Sequence, residues 1–242
     1  MQVNNIPSYL LKIFFWETGK YYLLFLICLL PIAISAQANL PNGKMLVELG
    51  TYRGGEKAGN YALSVGTHWK VWKFLRLGGG IRFGYGEIYD PKLIPAKPSL
   101  RKSSRTDTLT STQINSFYSQ LYGEVRLQLR ARWRVRYFAD LAGIAASNSV
   151  GFNYSQMWLG SSFLPDQSGR VTLSSFRKMF GGNVGTLTQG IDLQYAINPH
   201  IWVHAGWTLL RIEYTTYRLL NDRNDRFYDN LSLWGVGIAW EW

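Results

Sequence analysis

The last twelve residues constrain the fold of this chain more than any other stretch. They read LSLWGVGIAWEW, from Leu231 to Trp242. Because the side chains of a β-strand alternate between two faces, one face carries bulky apolar residues: Trp234, Val236, Ile238, Trp240 and Trp242. The opposite face is mostly small, with one carboxylate at Glu241. Tryptophans that bracket an aliphatic stretch indicate a strand that faces lipid, because their amphipathic rings favour the two headgroup regions.

A strand that faces lipid requires a closed barrel. The hydrocarbon core cannot satisfy the free edge of a sheet, so the rest of the chain has to supply partner strands. Alternation of apolar and polar residues predicts eight strands, at 44–53, 60–71, 75–87, 116–129, 133–147, 183–197, 201–217 and 231–242. In the seventh strand the adjacent pair Leu209-Leu210 interrupts the alternation, which predicts a bulge.

The predicted connections alternate in length. Those after strands two, four and six are short, whereas those after strands three, five and seven are long, polar and without period, at 88–114, 148–180 and 221–230. Short periplasmic turns and long external loops are typical of outer-membrane barrels, and a soluble antiparallel barrel has no reason to collect its long loops at one end. We therefore expect an all-β fold, an eight-stranded antiparallel transmembrane barrel in which the first strand pairs with the last.

The N-terminal region indicates export. An apolar run covers residues 21–34, with Lys20 just before it and Ser35-Ala36-Gln37-Ala38 just after it. This pattern predicts a signal peptide over 1–38, cleaved after Ala36 or Ala38, and a barrel domain over 39–242. An anchor helix is the alternative, although the run is short for a membrane span. The single cysteine, Cys28, lies in this leader, so we expect no disulfide and no thiolate metal site in the mature protein.

The strand pattern, the alternation of loop lengths and the terminal aromatic residue Trp242 support a comparison with a known group. Over residues 44–242 the chain resembles the small eight-stranded outer-membrane β-barrel proteins, the broad group of OmpA-like, OmpX-like and OmpW-like barrels. The leader resembles those of Bacteroidetes proteins. The resemblance implies an outer-membrane location, contact with membrane lipid and lipopolysaccharide, and recognition of Trp242 by the barrel-assembly machinery. It implies no particular activity, because fold does not give function.

The alternation also sorts the charged residues. Ten of them face inward: Glu48, Arg76, Arg82, Glu124, Arg126, Arg134, Arg136, Asp140, Asp192 and Glu241. An eight-stranded barrel has an interior just wide enough for side chains to fill, and a buried unpaired ion costs several kcal/mol. We therefore expect a charge network that plugs the barrel, formed by Glu48, Arg76, Arg82, Glu124, Arg126, Arg136, Asp140 and Asp192. A solute pathway lined by arginines is the alternative.

Strict alternation also restricts the hairpin between strands four and five. Inward residues can face inward residues only if the connection holds an odd number of residues, which excludes a two-residue turn at Ala131-Arg132. A three-residue connection at 130–132 or at 131–133 remains. Either register brings like charges together, so we expect Arg76 and Arg82 of the neighbouring strand to compensate Glu124 and Asp140.

Six tryptophans on the outward face predict a lipid-facing aromatic girdle: Trp69, Trp133, Trp207, Trp234, Trp240 and Trp242. The three histidines, His68, His200 and His204, fall near the short turns, whereas a lipid-modifying enzyme would need a catalytic base at the outer rim. This placement argues against enzymatic activity. No carboxylate cluster accompanies these histidines, so we expect neither a metal ion nor another cofactor.

The formal net charge of +11 points to anionic partners. Basic residues occur in the loops 88–114 and 148–180, where they could bind lipopolysaccharide phosphates or an acidic surface ligand; a nucleic-acid partner is not expected for an exported barrel. The prediction is therefore a non-enzymatic outer-membrane protein with a structural or surface-interaction role. A narrow transporter for small or hydrophobic molecules is the alternative, and a lipid-modifying enzyme is a third.

Overall fold

The computed structural model describes residues 43–96, 100, 108–147, 150–151, 153–156, 160–162, 168–171, 186–216 and 225–242. The leader predicted over 1–38 lies outside these residues. The strands are β1 (Gly43–Gly54), β2 (Ala58–Lys70), β3 (Leu75–Tyr89), β4 (Lys92–Pro95), β5 (Thr108–Thr110), β6 (Gln113–Arg130), β7 (Trp133–Ser147), β8 (Val150–Gly151), β9 (Asn153–Gln156), β10 (Gly160–Ser162), β11 (Ser168–Val171), β12 (Leu187–Ala196), β13 (Ile201–Thr216) and β14 (Arg226–Glu241). Within the described residues, no helix is long and apolar enough to span a membrane.

Eight of these strands form a closed antiparallel barrel in the order β1-β2-β3-β6-β7-β12-β13-β14. The barrel closes where β14 pairs with β1, in a register that sets Leu46 opposite Glu241 and Arg53 opposite Trp234. The predicted fold class and the pairing of the first strand with the last are confirmed. The strands can be assigned from sequence because polar or small residues facing the interior alternate with apolar residues facing outward through most of each strand.

The two ends of the barrel differ in the connections that they carry. The turns at 71–74, 131–132 and 197–200 lie at one end, together with the start of β1 and the end of β14, where the amide N of Met45 donates to the carbonyl O of Trp242 at 3.0 Å. We refer to this as the short-turn end. The opposite, long-loop end also contains the tight turn between β1 and β2, where Gly55 adopts a positive φ of 63° that favours glycine.

The long-loop end contains more strand than the sequence predicts. β3 and β6 extend to Tyr89 and Gln113, and β14 begins at Arg226 instead of Leu231. The prediction that 88–114 and 148–180 are irregular loops is wrong in part, because both segments contain short strands. One group continues from the barrel strand β14 in the order β14-β4-β5-β9-β10, and the other continues from β13 in the order β13-β11-β8. Backbone hydrogen bonds to a neighbouring strand hold these segments in place. Their sequences therefore do not need an alternating apolar face.

The predicted bulge at Leu209-Leu210 is wrong. The pairing of β13 with both β12 and β14 is continuous through these two residues. Leu209 points outward and Leu210 is buried inside the barrel. Two adjacent leucines fit a regular strand here because the interior changes from polar to apolar towards the long-loop end.

Bulges occur instead in the hairpin of β6 and β7. One lies at Leu129, since Gln128 pairs with Arg134 and Arg130 with Trp133; the other lies at Leu141. The extra residue at Leu129 restores the inward alignment around a two-residue turn at 131–132, so the exclusion of that turn is wrong. The bulge at Leu141 places Ala142 opposite outward Leu121, so Ala142 does not continue the inward face.

The small face of the last strand is explained by what packs against it. A side chain at Gly235 would collide with the ring of Tyr52, and one at Gly237 would collide with the imidazole of His204. Both partners are buried in the barrel. Glycine at these two positions therefore makes room for large inward residues of β1 and β13.

Candidate functional site

Arg136 occupies the centre of the barrel interior. Strand alternation on β7 turns it inward, where it is fully buried. Its guanidinium donates to Glu48 of β1, with Nη2 2.8 Å from Oε1, and to Asp192 of β12, with Nη2 2.6 Å and Nε 2.9 Å from Oδ2. Glu124 of β6 lies 3.6 Å from Nη1. One cation therefore joins carboxylates from three other strands, including β1, which is not adjacent to β7.

Arg82 and Asp140 form a second cross-barrel pair. Nη1 of Arg82 on β3 lies 3.0 Å from Oδ1 of Asp140 on β7, although β6 separates these two strands. The Arg82 guanidinium also lies over the ring of Phe138, 4.1 Å from its centroid. The second carboxylate oxygen of Asp140 accepts from the amide N of Thr188 at 2.9 Å. This set fills the barrel next to the Arg136 cluster.

The carboxylate of Glu241 contacts several cationic side chains at the short-turn end. Its carboxylate lies 2.6 Å from Nη1 of Arg134 and 2.6 Å from Nη1 of Arg76, and it is hydrogen-bonded to Nε2 of His68 at 2.9 Å. Lys44 approaches to 3.5 Å. Arg76 thus contacts Glu241 and does not reach Glu124 or Asp140, because the start of β3 lies near the end of β14.

Formal charge is balanced inside the barrel. Glu124 lies 2.6 Å from Arg126, which faces arginines of both neighbouring strands, Arg76 and Arg136. Among the described residues, this network contains five arginines and five carboxylates: Arg76, Arg82, Arg126, Arg134 and Arg136 against Glu48, Glu124, Asp140, Asp192 and Glu241. The structure places all eight predicted network residues in this interior, together with Arg134 and Glu241 of the inward-facing set.

Two histidines also belong to the interior, although neither was predicted to join the charge network. His68 bonds to Glu241, and His204 lies 3.6 Å from Glu48 and 3.8 Å from Asp192. Both are on inward strand positions, which was the available signal. Among the described residues, no group of three or more histidine, cysteine or acidic side chains is arranged to hold a metal ion.

An apolar cluster fills the interior at the long-loop end. Its members come from the barrel and from two of the short strands: Tyr52, Ala58, Ile88, Leu93, Leu109, Ile114, Leu210, Ile212, Tyr214, Phe227 and Leu233. Leu93 of β4 and Leu109 of β5 are fully buried in it. Sequence reasoning missed this cluster because those two leucines lie in a polar segment without strand period. The interior is therefore charged towards the short turns and apolar towards the long loops.

The outer face of the barrel is an exposed apolar belt. Large aliphatic side chains project outward on strands around the circumference: Leu49, Leu77, Leu121, Leu127, Ile191, Leu193, Val236 and Ile238. Five of the six predicted girdle tryptophans lie on outward strand positions, and the sixth, Trp242, directly follows β14. Trp234 is 69% exposed. Trp207 pairs directly with Trp234 towards the long loops, whereas Trp69, Trp133, Trp240 and Trp242 lie towards the short turns.

The height of this belt matches a membrane. The nine residues from Trp234 to Trp242 span eight steps, or roughly 27 Å, along the strand. This is roughly 20 Å along the axis of a tilted barrel and close to the ~25 Å apolar band of outer-membrane barrels. Aromatic residues on other strands continue the border of the belt that lies towards the long loops. There Tyr85 stacks with Tyr61 and contacts Phe117. A water-soluble protein does not expose a continuous apolar belt around a charged interior.

The chain is an eight-stranded antiparallel β-barrel of the outer-membrane type.

Comparisons with solved structures return similar barrels. The N-terminal β-barrel domain of Pseudomonas aeruginosa OprF is 12% identical, with a TM-score of 0.38, over 83% of this chain and 98% of that domain. Ail, the attachment invasion locus protein of Yersinia pestis, is 9% identical, with a TM-score of 0.36, over 84% and 100% of the two chains. The outer membrane enzyme PagL is 15% identical, with a TM-score of 0.38, over 80% and 97%.

No protein-family model matches this chain, and no curated protein matches it. At the identities and TM-scores given above, no function is inferred from the solved barrels, which include both an attachment protein and an enzyme. The assignment of the fold rests on the strand pairing, the exposed belt and the charged interior.

Proposed function

We propose that this chain is a non-enzymatic outer-membrane protein, exported by the leader over 1–38, whose sealed barrel anchors a surface-interaction structure. The observation that carries the proposal is the filled interior. Arg136 ties together Glu48 and Asp192 across the barrel, and the apolar cluster that contains Leu93 and Leu109 lies above them. Side chains that fill the lumen in two chemically different layers support an anchor in preference to a transporter.

The projecting long-loop end supports a role at the cell surface. β13 continues nine residues beyond Trp207 to Thr216, and β14 begins eight residues before Trp234, at Arg226. Eight residues add roughly 27 Å of strand, so the paired strands extend well past the apolar belt. β4 and β11 pair onto this extension. A platform built from paired backbone can present a binding surface without the ordering cost of a flexible loop.

The proposed partners follow from the two faces of the molecule. The belt contacts outer-membrane lipid, and the basic residues in 88–114 and 148–180 bind lipopolysaccharide phosphates or an acidic surface ligand. The barrel-assembly machinery recognises the terminal strand through Trp242, which is exposed on the outward face while its backbone pairs with Met45.

The positions of the histidines support the absence of catalysis at the outer rim. His68 is buried and bonded to Glu241, His204 is buried beside Glu48, and His200 lies in the turn at 197–200. A lipid-modifying reaction at the outer leaflet needs a general base within hydrogen-bond reach of its substrate. All three imidazoles are instead in the half of the barrel that leads to the short turns.

The sealed interior predicts that the purified barrel does not conduct ions. Reconstituted into a planar lipid bilayer, the protein is expected to give no steady single-channel current in concentrated potassium chloride, because paired ions and apolar side chains occupy the lumen. A porin with a wide lumen, inserted by the same procedure, serves as the positive control. A reproducible ohmic conductance that depends on the amount of inserted protein would instead favour the transporter.

The orientation of the barrel can be tested with single cysteines. Lys57→Cys lies in the turn between β1 and β2, and Lys73→Cys lies in the turn between β2 and β3; both lysines are exposed. A membrane-impermeant maleimide added to intact cells is expected to label K57C and spare K73C, and to label both after permeabilisation. The native Cys28 lies in the leader. Labelling of K73C alone in intact cells would reverse the proposed orientation.

A further inference from the structure

The short-turn end exposes positive charge without exposed negative side chains. Lys70, Lys73, Arg130 and Arg132 are all exposed, and we call these four residues the basic arc. In the described part of this end, the one acidic side chain is Glu241, which is buried against Arg76 and Arg134. The long-loop end differs, because it exposes acidic Glu56 and Asp90 beside its lysines.

The basic arc is contiguous because the two turns that hold it are neighbours. β3 pairs with β6, and the amide N of Gln128 donates to the carbonyl O of Phe74 at 2.7 Å, which joins the turn at 71–74 to the turn at 131–132. On the other side, Nη1 of Arg132 donates to the hydroxyl of Tyr195 at 3.4 Å. The third short turn, at 197–200, contains no lysine or arginine. The four charges of the basic arc therefore lie on one side of the rim, from β2 to β12, whereas Lys44 of β1 lies against Glu241.

Exposed aromatic rings alternate with these cations. Trp72 is 61% exposed and Phe74 is 57% exposed in a four-residue turn, and their rings lie 6.3 Å apart. Trp133 contacts Tyr195 with ring centroids 4.8 Å apart. Rings of this kind favour the headgroup zone, where the apolar part contacts acyl chains and the polar part remains hydrated. In the turn at 71–74, Lys73 therefore lies between two aromatic residues that favour the headgroup zone of a membrane.

We propose that the basic arc binds the phosphodiester headgroups of anionic phospholipids in the leaflet that meets the short turns. Lys70 and Lys73 supply point charges, whereas the planar guanidinium groups of Arg130 and Arg132 can each donate two hydrogen bonds to one phosphate. A lipid is favoured over a soluble anionic polymer because Trp72 and Phe74 are then covered by acyl chains. This binding site lies at the short-turn end, opposite the extended strands of the long-loop end, and it does not depend on the function proposed for those strands.

Lipid selectivity of the reconstituted barrel tests this proposal. The protein is folded into phosphatidylcholine vesicles, and the association of spin-labelled phosphatidylglycerol is compared with that of spin-labelled phosphatidylcholine. We expect roughly a fivefold preference for phosphatidylglycerol, the order of effect of one basic residue at an anionic lipid surface. The preference is expected to fall as salt is added, because the headgroup charges are screened.

Two variants locate the site. K70Q/K73Q/R130Q/R132Q removes all four charges of the basic arc and is expected to reduce the preference to nearly one. R53Q/K57Q removes two exposed charges at the long-loop end, outside the segments proposed to bind lipopolysaccharide phosphates, and is expected to retain it. Heat-modifiable migration on a gel verifies that each variant has folded. Equal association of the two lipids with the unmodified barrel would overturn the proposal, as would loss of the preference in the control variant; binding of soluble polyglutamate with no lipid preference would point to a polymer instead.

Discussion

Replacement of Arg136 by methionine is expected to lower the free energy of unfolding by about 3–5 kcal/mol, the usual cost of removing one partner from a buried ion pair. Arg136 donates to Glu48 and Asp192, and Glu124 lies 3.6 Å away. Without the guanidinium, these carboxylates stay buried with too few cations to compensate them. Methionine keeps much of the side-chain volume, so the loss reports mainly on charge. Urea unfolding in a zwitterionic detergent, followed by tryptophan fluorescence, measures the change.

Arg130→Met provides the matched control for this prediction. Arg130 is exposed near the turn between β6 and β7, and its substitution is expected to change the free energy of unfolding by less than ~0.5 kcal/mol. A second substitution, Glu48→Gln, is expected to recover part of the loss in the Arg136→Met background, because it removes one uncompensated carboxylate. If Arg136→Met were as mild as Arg130→Met, the charge network would not be what holds the barrel together.

The two-residue period explains why the inside and outside of the barrel could be predicted. Apolar and polar residues alternate through most of each barrel strand, so Arg82 on β3 and Asp140 on β7 could both be placed in the interior. Arg82 was expected to compensate Glu124 or Asp140, but which of the two carboxylates it reaches could not be predicted, because β6 lies between β3 and β7. The level at which two inward residues meet depends on the stagger of the strands around the barrel, which is a global property. For the same reason the pairing of Arg76 with Glu241 did not follow from strand order.

Structural features that do not follow the two-residue period could not be predicted from the sequence. The bulge at Leu129 adds one residue to β6 and reverses a conclusion that assumed regular pairing. Leu93 and Leu109 belong to strands of four and three residues, and they are buried because their backbones pair with neighbouring strands at the long-loop end. A few residues give no measurable alternation, so such strands are defined by their partners and not by their own sequence.

A charge placed on the apolar belt tests whether that belt faces hydrocarbon. Ile191 lies in the middle of β12, is 48% exposed on the outward face, and pairs with Tyr137 and Trp207. Ile191→Arg is expected to lower the free energy of unfolding in phospholipid vesicles by ~2–4 kcal/mol, as for an arginine near the bilayer midplane. The loss arises because the guanidinium has to enter hydrocarbon or distort the bilayer to reach water.

Ile197→Arg is the control because it makes the same substitution at a different depth. Ile197 is 56% exposed in the turn at 197–200, only one residue beyond the end of β12. Near the interface the cost is expected to be ~0–1 kcal/mol. The two isoleucines have similar exposure, so a difference between them cannot come from loss of packing and has to come from depth in the membrane. Equal costs would mean that Ile191 does not face hydrocarbon, and because the belt is continuous around the barrel, the transmembrane assignment of the other strands would fail with it.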